Sequence, residues 1–189
     1  MHSAAEYFRT LADLLDAVQV TDGEGRALAL QEGGDRAAAL IESVRAGSRK
    51  ILLVGNGGSA AISSHMQNDF CHAAGVRSMA FTDAAMLTAL SNDHGYPEAF
   101  ERCVRMWAAP DDLLIAVSSS GRSENILRGV RAAREGRAAV LTCSGFRPDN
   151  PLRSMGDVNF YVGSGAYGPV ELAHHAILHY LSDRVAKRA

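Results

Sequence analysis

The 189-residue sequence has no long apolar run, no basic tract and no organised set of cysteines. Nothing in it approaches the ~20 apolar residues that cross a bilayer as a helix, and the start, MHSAAEYFRTLADLL, carries no basic segment followed by an apolar core. No membrane role and no leader are expected. A formal charge of −2 without a basic run gives no electrostatic reason to expect direct nucleic-acid binding. Cys71, Cys103 and Cys143 are odd in number, widely spaced and set in apolar contexts. They read as reduced core thiols of a cytoplasmic protein, not as a disulfide framework. Also missing are a linker, a low-complexity tract, an internal repeat and the G-x-x-x-x-G-K-[ST] loop of nucleoside triphosphate chemistry.

What is present points to one folded unit over residues 1–189. An apolar share of 47% against 21% charged residues argues against disorder, and the length is enough for a sizeable core. The chain is organised around KILLVGNGGSAAISSHMQNDF, Lys50 to Phe70. Ile51 to Val54 are apolar without alternation, as in a strand buried on both faces, and Gly55, Gly57 and Gly58 follow at once. Glycines there let backbone N–H groups face a ligand, and a helix beginning near Ser59 adds N-terminal partial positive charge, so phosphate is the natural guest.

Along the rest of the chain, Phe8, Leu11, Leu14, Leu15 and Val18 recur at helical spacing, and TDGEGR at Thr21 to Arg26 ends that helix. A second helix is expected from Asp35 as N-cap to Gly47. This 1–47 extension is not part of a minimal α/β unit, and packing on another subunit or capping within one chain both explain it. Further strands are expected at Arg77–Thr82, Leu113–Val117, Ala138–Thr142 and Val158–Val162, with helices between them and a last helix over Val170–Ala186. Alternation of this kind implies an α/β fold, a doubly wound, five-stranded parallel sheet in three layers with extra N-terminal helices.

In such sheets ligands sit beyond the carboxyl ends of the strands. Two loops belong there: Gly55-Asn56-Gly57-Gly58-Ser59, and Ser118-Ser119-Ser120-Gly121-Arg122-Ser123. One serine suffices for a helix cap, and four around a glycine suggest an anion cradle, to which Arg122 adds charge unless it is simply exposed. Gly55, Gly57 and Ala60 also match G-x-G-x-x-A, with Asp83 as the ribose acid, but a dinucleotide leaves the serine loop unexplained.

Two helices carry candidate metal ligands. His65 and Asp69 stand at i and i+4 after the glycine loop. The stretch ELAHHAILHY places Glu171, His174, His175 and His179 in an otherwise apolar helix, which costs stability unless a site uses them. Imidazole and carboxylate together suit a divalent ion such as zinc. Ideal helix geometry makes His175 and His179, at i and i+4, an easier pair than Glu171 and His179, which are about 12 Å apart along the axis.

LLVGNGGSAA, the spacing from Ser59 to His65 to Asp69, LTALSNDHGY, LLIAVSSSGRSENIL and the terminal helix resemble the sugar isomerase (SIS) domain, and within it the phosphoheptose isomerases. The similarity covers nearly the whole chain. It implies a flavodoxin-like fold, a homotetramer with active sites between subunits, a bound zinc, and aldose–ketose isomerisation of sedoheptulose 7-phosphate to D-glycero-D-manno-heptose 7-phosphate. By position it implies substrate binding by Asn56, Gly57, Gly58, Ser59, Asp93, Ser118, Ser119, Ser120, Ser123 and Glu171. It implies metal ligation by His65, Asp69, Glu171 and His179, and catalysis by Asp69 and His179. By that alignment Glu171 is the ligand and His175 is not. Three positions depart from the pattern: Asp69 stands for glutamate, Glu171 for glutamine, and Gly168 for an acidic residue. A specialised isomerase for a related heptulose phosphate fits those departures. The alternative is a non-catalytic phosphosugar-binding or adaptor protein of the type associated with a replication initiator; adaptors lose the carboxylate that Asp69 keeps here.

Overall fold

A computed structural model of the chain describes residues 3–186. What was expected of residues 1–2 and 187–189 lies outside it. The elements run α1 (Ala4–Asp16), β1 (Gln19–Asp22), β2 (Ala27–Leu28), α2 (Leu30–Ala46), β3 (Lys50–Gly55), α3 (Gly58–His72), β4 (Arg77–Ala80), α4 (Ala84–His94), α5 (Ala99–Trp107), β5 (Leu113–Ser118), α6 (Glu124–Glu135), β6 (Ala139–Gly145), β7 (Val158–Val162) and α7 (Tyr167–Val185). Short 3₁₀ turns lie at Tyr96–Glu98 and Pro151–Ser154.

The sheet order is β2-β1-β7-β6-β5-β3-β4. The five expected strands are the parallel part, running β7-β6-β5-β3-β4. Two further strands make the sheet seven-stranded and mixed: β1 pairs antiparallel with β7, and β2 closes a hairpin on β1. The TDGEGR stretch is therefore a hairpin, not a helix stop. Its turn is held by Asp22, whose Oδ1 accepts from the backbone N–H groups of Glu24 and Arg26 at 3.0 and 2.9 Å while Oδ2 accepts from the Arg26 side chain at 2.8 Å. Arg26 holds the Asp22 carboxyl below its ordinary range, mainly by that side-chain hydrogen bond.

Successive residues of β3 feed opposite sides of the sheet. Ile51 and Leu53 join one core with Ile41, Met66, Phe70, Val170 and Leu178; Leu52 and Val54 join the other with Phe100, Val104, Ile126 and Val130. This is the three-layer arrangement the uninterrupted apolar run predicts. The α2 helix begins at Leu30, five residues before Asp35, and packs on α7 and β1 within the chain. Gly33 and Gly34 belong to its first turns because a Cβ on Gly33 would lie 2.4 Å from Val20 Cγ1 and one on Gly34 2.9 Å from Tyr180. Cys103 and Cys143 are buried free thiols, and desolvation raises their pKa to about 11 and about 12. Cys71, expected in the core, is exposed near the end of α3. No helix among the described residues is long and apolar enough to cross a membrane.

The chain leaves β3 toward β4 on one side and returns to its other side as β5. The strand order thus reverses between β3 and β5, and the loops that follow those two strands are the glycine loop and the serine loop.

Candidate functional site

The glycine loop is built for close approach. Gly57 has φ +54° and ψ −123°, which side chains avoid. A Cβ on Gly55 would lie 2.4 Å from the Ser59 carbonyl oxygen. The turn therefore presents the first N–H groups of α3 to the space beside the serine loop. In that loop the Ser118 hydroxyl accepts from Gly121 N–H at 3.2 Å and Ser120 from Arg122 N–H at 3.3 Å. Gly121 is left-handed at φ +61°, and a Cβ there would collide with Asn150. Ser119 Oγ is buried with no hydrogen-bond partner.

Asn56, Gly57, Gly58, Ser59, Ser118, Ser119, Ser120, Ser123, Tyr167 and Glu171 enclose a cavity of about 270 Å³. Eight of the expected substrate-binding positions besides Glu171 are thus brought together. Asp93 is not: it is exposed near the end of α4, beside Asn92. Arg122 also points elsewhere, toward Asp149 at 3.1 Å, so the exposed-arginine reading holds. Asn56 is fixed by reciprocal 3.0 Å hydrogen bonds with Asn125 and receives the Tyr96 hydroxyl at 2.5 Å. A larger groove of about 550 Å³, lined by Leu15, Val18, Phe160, Ile177 and Tyr180 among others, is apolar and offers little to an anion.

From the cavity the α3 and α7 helices run on in contact. On α3 the row Ile62, Met66, Phe70 is buried in the core, and His65 and Asp69 form the adjacent row. On α7, Val170, Ala173, Ile177, Leu178 and Leu181 fill the core, and Glu171, His175 and His179 share a row at i, i+4 and i+8. The two polar rows meet. Ring centroids are 4.9 Å apart for His65 and His175, 5.0 Å for His65 and His179, and 4.6 Å for His175 and His179. One nitrogen from each lies within 4.8 Å of the others, so these three can hold a metal ion. Asp69 Oδ2 lies 3.2 Å from His179 Nδ1 and 3.4 Å from His65 Nε2.

The donor chemistry fits an ion. His175 Nε2 is buried with no hydrogen-bond partner, an arrangement that costs about 1–3 kcal/mol unless something accepts its lone pair. Burial first, and then the neighbouring His179 and His65, lower the His175 pKa, which keeps the ring neutral and able to ligate. Glu171 is elsewhere: its carboxylate lies against Gly58, where an added Cβ would come within 2.3 Å of Oε2. It therefore belongs to the cavity wall, about one helical turn (~6 Å) before His175. His174 is a core residue. Its Nε2 donates to the Ser144 carbonyl at 3.0 Å, and desolvation lowers its pKa to about 4.

His175, which helix spacing pairs with His179 and the family resemblance leaves out of the ligand set, falls within the imidazole group. Tyr167 had no sequence signal, being a single aromatic among glycines and alanines.

Comparison with known proteins bears out the fold. Residues 6–145 match the SIS domain model. The phosphoheptose isomerase of Pelobacter propionicus is 33% identical over 159 residues, covering 81% of this chain and 83% of its own length. That of Syntrophotalea carbinolica is 31% identical over 187 residues, covering 96% and 91%. In structure, the phosphoheptose isomerase GmhA from Neisseria gonorrhoeae superposes with a TM-score of 0.83 at 28% identity, covering 96% of both chains.

Proposed function

The chain belongs to the SIS domain family, and from that membership we propose that it is a sugar-phosphate isomerase whose substrate is a heptulose phosphate, sedoheptulose 7-phosphate in the first instance. The observation that carries the reading is the union of two features: a serine-lined cavity at the strand switch point, and a cluster of imidazoles and a carboxylate on the two helices leaving it. Relatives at 31–33% identity that bear the name phosphoheptose isomerase support the reaction class. The product is D-glycero-D-manno-heptose 7-phosphate, and the reaction passes through a cis-enediol.

In this reading the N–H groups at Gly57 and Gly58 and the hydroxyls of Ser59, Ser118, Ser119, Ser120 and Ser123 bind the phosphate, the Ser59 N–H being engaged by the Asn56 carbonyl at 3.0 Å. The unpartnered Ser119 hydroxyl gains an acceptor when the phosphate arrives. Asn56, pinned by Asn125 and Tyr96, and Glu171 meet the sugar hydroxyls. Asp69 and His179, 3.2 Å apart, act as the acid/base pair that moves a proton between C1 and C2 while the oxygen protons are exchanged. A divalent ion such as zinc, held by His65 and His179, supplies polarisation of the carbonyl or adjacent hydroxyl when bound. Asp93 enters this scheme only if a neighbouring subunit or a movement of α4 brings it in. We assign the whole chain to one SIS domain acting as a cytoplasmic homotetramer with sites between subunits. Buried free thiols and the exposed Phe8, Tyr167 and Leu172 favour that assignment.

The test is incubation of the purified protein with a panel of ketose phosphates of five to seven carbons, with and without a chelator. Aldose phosphate should form from the seven-carbon substrate and fall by at least about tenfold on metal removal. Binding of these sugars with no conversion of any of them would support the adaptor reading instead.

A further inference from the structure

We propose that the ion in this chain is held by three imidazoles, His65, His175 and His179, and that Glu171 is no ligand but the carboxylate wall of the sugar-phosphate cavity. The proposal rests on the isomerase reading only in taking the site to hold an ion. Three observations carry it. The three rings converge with one nitrogen each inside a 4.8 Å span. His175 Nε2 is a buried nitrogen without a hydrogen-bond partner, turned toward the other two rings and free to ligate. Glu171 is occupied elsewhere, against Gly58 at the start of α3, where the partial positive charge of the helix N-terminus favours a carboxylate. It also shares a cavity with the five serines.

Spacing on α7 gives the reason. Residues at i and i+4 stand over one another, so His175 and His179 reach a common point from adjacent turns, whereas Glu171 is two turns from His179. Asp69, within 3.4 Å of both His65 and His179, then braces those two rings as carboxylates commonly brace metal-bound histidines. Three protein ligands is the number used by catalytic zinc sites, as opposed to closed structural ones.

Cobalt(II) titration of the metal-stripped protein, followed by visible absorption, tests the ligand set without relying on activity. The wild type should take one Co²⁺ per chain. His175→Ala should weaken that binding by at least about tenfold, and Glu171→Gln should leave both the affinity and the spectrum unchanged. Because His175 is partly buried, His175→Cys provides a second reading: it should bind Co²⁺ and add a thiolate-to-cobalt charge-transfer band. Weakening by Glu171→Gln with none by His175→Ala would overturn the assignment, as would cobalt binding by His175→Cys without the new band. A wild type that takes no cobalt yet isomerises a heptulose phosphate would overturn this ligand set and leave the isomerase reading standing.

Discussion

Glu171 puts a negative charge in the cavity proposed to receive a phosphate, and that one side chain sets a balance the binding must overcome. The serine hydroxyls and the start of α3 attract the anion; the carboxylate, lying over Gly58, repels it. Removing the charge should therefore tighten anion binding. Glu171→Gln is expected to lower the inhibition constant of inorganic phosphate by about fivefold, the effect of roughly 1 kcal/mol of like-charge repulsion, measured by competitive inhibition of turnover. An unchanged or raised constant would mean that Glu171 does not face the anion. Most of the site was legible at this scale because glycine and clustered serine leave unambiguous marks: Gly57, with its positive φ, and the Ser118–Ser120 run were read directly as an anion cradle. His175 was legible only in part: helix spacing pairs it with His179, but positional matching to a family leaves it out, and its contact with His65 depends on how α3 and α7 pack.

Among the elements, α1 has the least to do inside the chain. Leu11, Leu14 and Leu15 pack against the core, no residue of the helix is fully buried, and Phe8 remains 65% exposed. An apolar face left over in this way suits a contact between copies. If α1 helps hold the proposed tetramer, sedimentation equilibrium of the wild type should give about four times the 20.1 kDa chain mass, and Phe8→Glu should shift it to smaller species without loss of helix content. A monomeric wild type would contradict the proposal. The element scale is also where sequence reading fell short. The parallel strands announce themselves through apolar runs such as Ile51–Val54 and Leu113–Val117, but β1 has Val20 alone among polar residues and β2 is two residues long, too little for a pattern to register. Asp35 resembled an N-cap, but α2 already starts at Leu30, and glycines 33 and 34 are required inside it by the close approach of Val20 and Tyr180.

At the scale of the whole molecule, the fold does one thing for function: the sheet reverses direction between β3 and β5, so two loops far apart in sequence open side by side. The α3 helix leaves the first of those loops, and the closing helix α7 packs along it, bringing imidazoles from residues 65, 175 and 179 together on the same two helices that supply Ser59 and Glu171 to the cavity wall. That juxtaposition was only half visible in the sequence, since nothing in either helix alone says which face meets the other. Its consequence is chemical: a ketose phosphate anchored by its phosphate should present C1 and C2, at the other end of the sugar, to Asp69 and His179. The decisive measurement is NMR of sedoheptulose 7-phosphate incubated with the protein in D₂O. The account predicts deuterium at C1 of the ketose and C2 of the aldose, the two enediol carbons, with the wild type, and loss of that exchange in a folded His179→Ala variant. Undiminished exchange in that variant, or none with the metal-loaded wild type, would contradict it.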